Sequence, residues 1–101
     1  MDSFSLAFHP DAREDAREAH AWYAERSTAA AEAFLDELDR AGAAIVRNPL
    51  YWGRYLFGTR FYRLKRYPYI VVYRVADERI QIIAVAHGRR RPGFWRTRLK
   101  E

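Results

Sequence analysis

The residues that could carry out chemistry are concentrated near the end of the chain, where a histidine precedes a run of arginines and aromatic residues. His87 is followed by Gly88-Arg89-Arg90-Arg91-Pro92-Gly93-Phe94-Trp95-Arg96. Imidazole titrates near neutral pH, so His87 could act as a general acid or base in phosphodiester cleavage. Arg89 or Arg63 would then stabilise the charged transition state. The competing structural interpretation is a strand-terminal histidine that bonds a backbone carbonyl.

A second group of cations precedes this segment, on a strand predicted over residues 61–67. Arg63 and Lys65 alternate along that strand and would project from one face, while Tyr62 and Leu64 would point to the other. Arginines interleaved with rings suit single-stranded nucleic acid, because cations hold phosphates and rings stack on bases. The same groups are enriched at protein interfaces, so both kinds of partner stay open. The candidate binding residues are Arg63, Lys65, Arg66, Arg89, Arg90, Arg91, Trp95 and Arg96.

The charge distribution separates the two halves of the chain. Residues 1–53 contain five Lys/Arg and ten Asp/Glu, whereas residues 54–101 contain thirteen Lys/Arg and three Asp/Glu. A surface of one sign attracts ligands of the other, so the second half is expected to meet a polyanion or an acidic protein.

The chain lacks the residues that several classes of function require. The chain has no cysteine, no His and carboxylate groups at metal-ligand spacing and no phosphate-binding glycine loop. We therefore expect no metal site and no cofactor. The start, Met1 to Phe4, lacks the features of a signal peptide, and the longest aliphatic run is too short for a membrane span, so we expect a cytoplasmic protein without a membrane partner.

The first half of the chain contains a predicted strand and two predicted helices. Residues 4–8 alternate apolar and polar, as a half-buried strand does. Pro10 and the acids after it begin a helix to about Arg26, and Ser27 or Thr28 caps a second helix that ends at Asn48-Pro49. The near absence of a link predicts an antiparallel hairpin. Its second helix should bury Ala31, Phe34, Leu35, Leu38, Gly42, Ile45 and Val46.

The second half is predicted to form a sheet. Segments 61–67, 69–75 and 79–86 are rich in Tyr, Val and Ile and are joined by short connections, while residues 50–60 form a predicted loop. Residues 69–73 are apolar on both faces, which predicts a central strand. The order β-α-α-β-β-β predicts one α+β domain over residues 1–101, with the helical hairpin packed on one face of a mainly antiparallel twisted sheet. The opposite face is then left for a partner.

This ordered set of elements resembles the RelE/ParE toxin superfamily, also called the plasmid stabilisation protein family, over nearly the whole chain. The likeness rests on strands 69–75 and 80–87 and on the tail pattern His-x-Arg-Arg-x-Pro-x-x-Trp, which begins at His87. The resemblance implies a toxin of a type II toxin–antitoxin system. It implies neutralisation by a cognate acidic antitoxin, and binding of operator DNA only through the toxin–antitoxin complex.

The superfamily has two branches of activity, and the chain matches the nuclease branch only in part. RelE-type members cleave mRNA on the ribosome, whereas ParE-type members inhibit DNA gyrase without a hydrolytic centre. Arg63 and Arg89 fall where the nuclease branch has a basic sheet residue and a C-terminal arginine. Phe61, Ile70 and Trp95 occupy positions where that branch has a basic residue, an arginine and a tyrosine. Cleavage, which would be metal-independent, would depend on Arg63, His87 and Arg89.

Three hypotheses follow from the residues and the resemblance. The first is a ParE-like toxin that inhibits growth by binding a macromolecular target, with DNA gyrase as the target implied by the family. The second is a RelE-like, ribosome-dependent mRNA endonuclease, and the third is a partner-binding relic of the fold without toxicity. All three expect an acidic, partly disordered partner to cover the cationic face, because complementary charge steers the encounter.

Overall fold

The fold is a helical hairpin packed on a five-stranded sheet. The computed structural model describes residues 4–100, so residues 1–3 and 101 of the predicted domain lie outside the described residues. Its elements are β1 (Ser5–Phe8), α1 (Pro10–Ala24), α2 (Thr28–Arg47), β2 (Gly53–Arg54), β3 (Arg60–Arg63), β4 (Tyr69–Ala76) and β5 (Arg79–His87), with short 3-10 turns at Leu56–Gly58 and Arg96–Lys100.

Both helices begin where the sequence predicts. His9 precedes Pro10, and its Nδ1 accepts a hydrogen bond from the Asp11 N–H at 3.0 Å. Ser27 caps α2 by accepting from the Ala30 N–H at 3.1 Å, which satisfies a donor that the first helical turn leaves free. The predicted buried face of α2 is correct at Ala31, Phe34, Leu38 and Ile45, but Leu35 is 40% exposed and was wrongly placed in it.

The sheet has the order β1-β5-β4-β3-β2 and is antiparallel except where β1 runs parallel to β5. β4 lies in the middle of the five strands, as its two apolar faces predict. β2 was not predicted, because two residues are too few to produce a periodic pattern. It pairs with β3 through Gly53 and Arg54, inside the segment that was predicted to be a loop.

Each face of the sheet is covered by a separate core. On the helix face, Phe34, Leu38 and Ile45 of α2 pack against strand residues such as Val71 and Ile82. On the opposite face, Val72, Ile83, Ala84 and Ala86 pack against Trp95 from the segment after β5. The prediction that this second face is left for a partner is therefore wrong at its centre, where the chain's own tail covers it.

Tyr73 connects the loop after α2 to the sheet. Its ring is fully buried, and its hydroxyl donates to the Pro49 carbonyl oxygen at 2.7 Å. Burial raises the pKa of Tyr73 to about 12, against a smaller lowering effect of Arg60. The phenol therefore stays protonated at neutral pH and keeps donating to that carbonyl.

The turn between β4 and β5 has two central residues, both with left-handed backbone conformations. Asp77 has φ 52° and Glu78 has φ 64°, and the flanking residues Ala76 and Arg79 pair directly. This two-residue geometry matches the right-handed twist of the strands, but it favours glycine over residues that have a Cβ atom.

Replacing Glu78 by glycine should therefore stabilise the protein. We expect Glu78→Gly to gain about 0.5–1 kcal/mol, because it removes the penalty that a Cβ atom meets in the left-handed region. Differential scanning calorimetry should show a rise in Tm of about 3–6 °C. The control is Glu78→Ala, which removes the same charge but keeps the Cβ atom; an equal rise for both variants would show that backbone strain is not the cause.

Candidate functional site

The candidate site is a set of arginines around the end of β5 and the tail, which we call the tail surface: Arg63, Arg89, Arg90, Arg91 and Arg96. All five side chains are exposed, and within residues 4–100 none of them forms an ion pair. The guanidinium of Arg90 lies 3.7 Å from the ring centroid of Phe94, and that of Arg96 lies 4.5 Å from the ring centroid of Phe57. The surface therefore presents positive charge without internal counter-charge, and aromatic rings hold two of its members in place.

Trp95 anchors the tail surface but is buried beneath it and does not contribute to its exposed area. The indole is 1% exposed and lies in the core on the second face of the sheet. Its ring centroid is 6.0 Å from that of Tyr55 and 5.9 Å from that of Phe57. The prediction that Trp95 contacts a target directly is therefore corrected: a buried indole orders the arginines around it and offers no surface to a partner.

An ion pair between α1 and the tail provides a second anchor. Arg98 bonds Asp15 through two nitrogens, with Nη1 2.7 Å from Oδ2 and Nη2 3.2 Å from Oδ1. The two side chains are only 14% and 11% exposed. Such bidentate, charge-assisted bonds are stronger than neutral ones, and removing one partner leaves the other charge without compensation.

The same two side chains form hydrogen bonds with backbone groups at the edge of β5 that has no neighbouring strand. β1 pairs with β5 only as far as Phe8 and Ile82, so the edge of β5 beyond Ile82 has no neighbouring strand. There Asp15 Oδ2 accepts from the Val85 N–H at 3.1 Å, and Arg98 Nη1 donates to the Ile83 carbonyl at 2.9 Å. One carboxylate and one guanidinium thus replace strand pairing at this edge, where unpaired backbone groups would otherwise be exposed.

His87 is held in place by local contacts at the end of β5. Its Nδ1 accepts a hydrogen bond from the Arg89 N–H at 3.0 Å. The sequence-based alternative to a catalytic role had predicted that His87 would bond a backbone carbonyl instead. Its ring packs edge-on against Tyr69 with centroids 5.0 Å apart. Tyr69 belongs to the helix-side core, whereas Ile70, the partner of Arg63 in the ladder, packs in the second core. Adjacent strand residues point to opposite faces, so His87 and Arg63 project from opposite faces of the sheet.

Arg63 nevertheless shares one cavity with two of the tail arginines. A hollow of about 180 Å³ is bordered by Arg63, Arg90 and Arg91, with edges of His87 and Trp95. Arg89 borders a larger groove of about 590 Å³ on the other side of His87, against Trp22 and Glu18 of α1. His87 borders both hollows, whereas Arg63 and Arg89, the other two residues predicted for a nuclease, each border only one of them.

Lys65 and Arg66 do not join the tail surface. The predicted strand 61–67 ends at Arg63, and the backbone N–H groups of Lys65 and Arg66 both donate to the carboxylate of Glu37 on α2. Both residues border a cleft on the helix side of the sheet. The prediction that Arg63 and Lys65 share one face is wrong, because the chain leaves the strand before Lys65.

No metal-binding cluster of three or more His, Asp or Glu side chains occurs within residues 4–100. Over the same range, no helix is both long enough and apolar enough to cross a membrane.

Comparison with known proteins assigns the chain to a family. The model of the ParE toxin of the type II toxin–antitoxin system, parDE, matches residues 6–92. The chain belongs to the ParE toxin family. The match runs from β1 to the arginines that follow β5, and so includes the hairpin, the sheet and the first part of the tail surface of this toxin.

Solved structures agree with this fold. The chromosomal ParDE toxin–antitoxin system from P. aeruginosa contains a chain that aligns with a TM-score of 0.75 at 20% identity, covering 83% of this toxin and 95% of that chain. The RelBE2 toxin–antitoxin complex from Mycobacterium tuberculosis aligns with a TM-score of 0.58 at 22% identity, covering 86% and 93%. The sequence has no match among curated proteins.

The pair of Asp15 and Arg98 should contribute substantially to the stability of this toxin. We expect Arg98→Gln to lower the free energy of unfolding by about 2–3 kcal/mol, somewhat less than for a fully buried pair, because both side chains retain some exposure. Urea denaturation followed by tryptophan fluorescence measures the change.

The matched control is Arg96→Gln, which removes the same charge two residues earlier from an exposed position. That variant should change the free energy of unfolding by no more than about 0.5 kcal/mol. Equal effects of the two substitutions would contradict a special role for the pair with Asp15.

Proposed function

We propose that this toxin inhibits growth by binding a macromolecular target through its tail surface, without cleaving RNA, and that an acidic antitoxin neutralises it. DNA gyrase is the target that the likeness to ParE-type toxins implies. The supporting observation is that Trp95 and Arg98 anchor the tail, while Arg63, Arg89, Arg90, Arg91 and Arg96 form no ion pair with the residues that the structure describes.

The arrangement of the tail surface favours binding over catalysis. Phosphodiester cleavage needs a general base and a general acid close to a group that stabilises the transition state. Here His87 uses Nδ1 to accept a backbone hydrogen bond, Ile70 packs in the second core, and Trp95 is buried. The surface is rich in cations that can contact acidic residues or phosphates, but His87 and Arg63 project from opposite faces of the sheet.

Arginine side chains that are already restrained in the free toxin should bind a target more tightly than flexible ones. Flexible arginine side chains lose conformational freedom when they bind, and that loss weakens binding. Stacking of Arg90 on Phe94 and of Arg96 on Phe57 reduces the freedom of these side chains before the partner arrives. The same charges accelerate encounter with an anionic surface, so the association rate should fall as salt increases.

Supercoiling assays with purified DNA gyrase test the proposal. The wild-type toxin should inhibit supercoiling. The double variant Arg90→Ala/Arg91→Ala should need about thirtyfold more protein, since each lost interfacial charge weakens binding by about 1 kcal/mol and the two together by about 2 kcal/mol. The matched control is Arg13→Ala/Arg17→Ala on the exposed side of α1, which removes the same charge and should leave inhibition unchanged.

Two outcomes would contradict the proposal. Unaffected supercoiling at saturating wild-type toxin would exclude gyrase as the target. New toxin-dependent cuts in primer extension on translating ribosomes, lost in Arg89→Ala, would instead establish the nuclease activity that the proposal denies.

A further inference from the structure

A second cationic site lies on the helix side of the sheet, away from the tail surface. A cleft of about 570 Å³ separates α2 from the turn after β3, and we call it the α2 cleft. Four cations border it: Arg40 and Arg47 from α2, and Lys65 and Arg66 from the turn. All four are exposed residues. Arg40 and Arg47 belong to residues 1–53, whose net charge is negative. The excess of cations in the second half of the sequence therefore does not by itself explain this cluster.

The four cations have no counter-charge of their own. None of them takes part in an ion pair within the described residues. The acid that borders the cleft is Glu37, which is 7% exposed and accepts from the backbone N–H groups of Lys65 and Arg66. Four positive side chains therefore face one carboxylate that the backbone already occupies. An anion bound among them would meet attraction from several positive charges at once.

The spacing of the cations indicates the shape of the anion. Arg40 and Arg47 are seven residues apart on α2, which corresponds to two helical turns and roughly 10 Å along one face. An extended peptide advances about 3.3 Å per residue, so three or four residues cover that distance. Alternate residues of such a peptide point to the same side, which would direct two carboxylates into the cleft.

The chemistry of the cleft favours a peptide over a nucleic acid. Single-stranded nucleic acid gains much of its binding energy from bases that stack on rings. The ring that borders the α2 cleft belongs to Tyr62, which is half-buried and packs edge-on against Trp52 with centroids 4.7 Å apart. Arginine forks, by contrast, bind carboxylates with two parallel bonds and need no stacking partner.

We propose that the α2 cleft binds an extended acidic segment of the antitoxin, while the tail surface, which shares no residue with the cleft, binds the target. This inference rests on the proposed function, because it assumes that the chain meets an acidic antitoxin. It adds a separate site for that partner, composed of residues on α2 and on the turn after β3.

A labelled acidic peptide tests the proposal on the whole toxin. The probe is an eight-residue fluorescein peptide with glutamate at alternate positions, titrated with toxin and followed by fluorescence anisotropy at low and physiological salt. The variant Arg40→Gln/Arg47→Gln should bind the peptide at least tenfold more weakly than the wild type. The control Arg89→Gln/Arg90→Gln removes the same charge from the tail and should bind within twofold of the wild type.

Three results would overturn the proposal. The first is an equal loss of peptide binding in both double variants, which would indicate attraction to net charge alone. The second is no loss in the α2 variant, provided that thermal melting confirms its fold. The third is a twelve-nucleotide single-stranded RNA that binds the cleft more tightly than the peptide does, since that would assign the cleft to nucleic acid.

Failure here can be separated from failure of the proposed function. The α2 variant should inhibit gyrase as strongly as the wild type, because none of its changed residues belongs to the tail surface. Peptide binding that depends on the cleft, together with unaffected supercoiling by the wild type, would refute the gyrase target alone. Gyrase inhibition without cleft-dependent peptide binding would refute only the inference about the cleft.

Discussion

The arrangement of this toxin depends on the pair formed by Asp15 and Arg98 at the open edge of β5. β1 ends opposite Ile82, and the backbone groups of Ile83 and Val85 beyond it would otherwise face water. The carboxylate accepts from Val85, the guanidinium donates to Ile83, and the two side chains bind each other. A helix, a strand edge and the tail are thus joined at one point, which fixes the tail across the second face of the sheet.

That constraint explains why the molecule can display its arginines without losing order in the tail. A segment with this much positive charge repels itself and has little tendency to fold alone. Trp95 supplies apolar burial in the middle of the segment, and Arg98 supplies a neutralised charge near its end. The arginines between and before these anchors are then free to face a partner. Lys65 and Arg66 border the helix-side cleft, so the cations predicted to bind a partner are divided between two surfaces.

The parts that could be predicted from sequence are those with local signals. Pro10, Ser27 and Asn48-Pro49 mark helix boundaries through backbone geometry and capping, and residues 69–73 show a central strand because both of their faces are apolar. The burial of Trp95 was missed, because the local sequence does not distinguish an aromatic residue that binds a partner from one that packs in the core. The pair of Asp15 and Arg98 spans 83 residues and has no local pattern. The cations on α2 were missed because they lie in a helix whose net charge is negative.

The central claim is that Asp15 and Arg98 complete the edge of β5 in the free toxin, and amide hydrogen exchange of Val85 tests it most directly. This amide bonds a side chain instead of a neighbouring strand, so the change in its protection when the carboxylate is removed reports on that hydrogen bond. The account predicts a protected Val85 amide in the wild type. In Asp15→Ala that amide should exchange about tenfold faster or more, since hydrogen bonds to charged groups contribute about 1.5–3 kcal/mol. Amides of the β4–β5 ladder should stay protected in both proteins. A Val85 amide that exchanges at the rate of an open chain in the wild type, or that is indifferent to Asp15→Ala, would contradict the account.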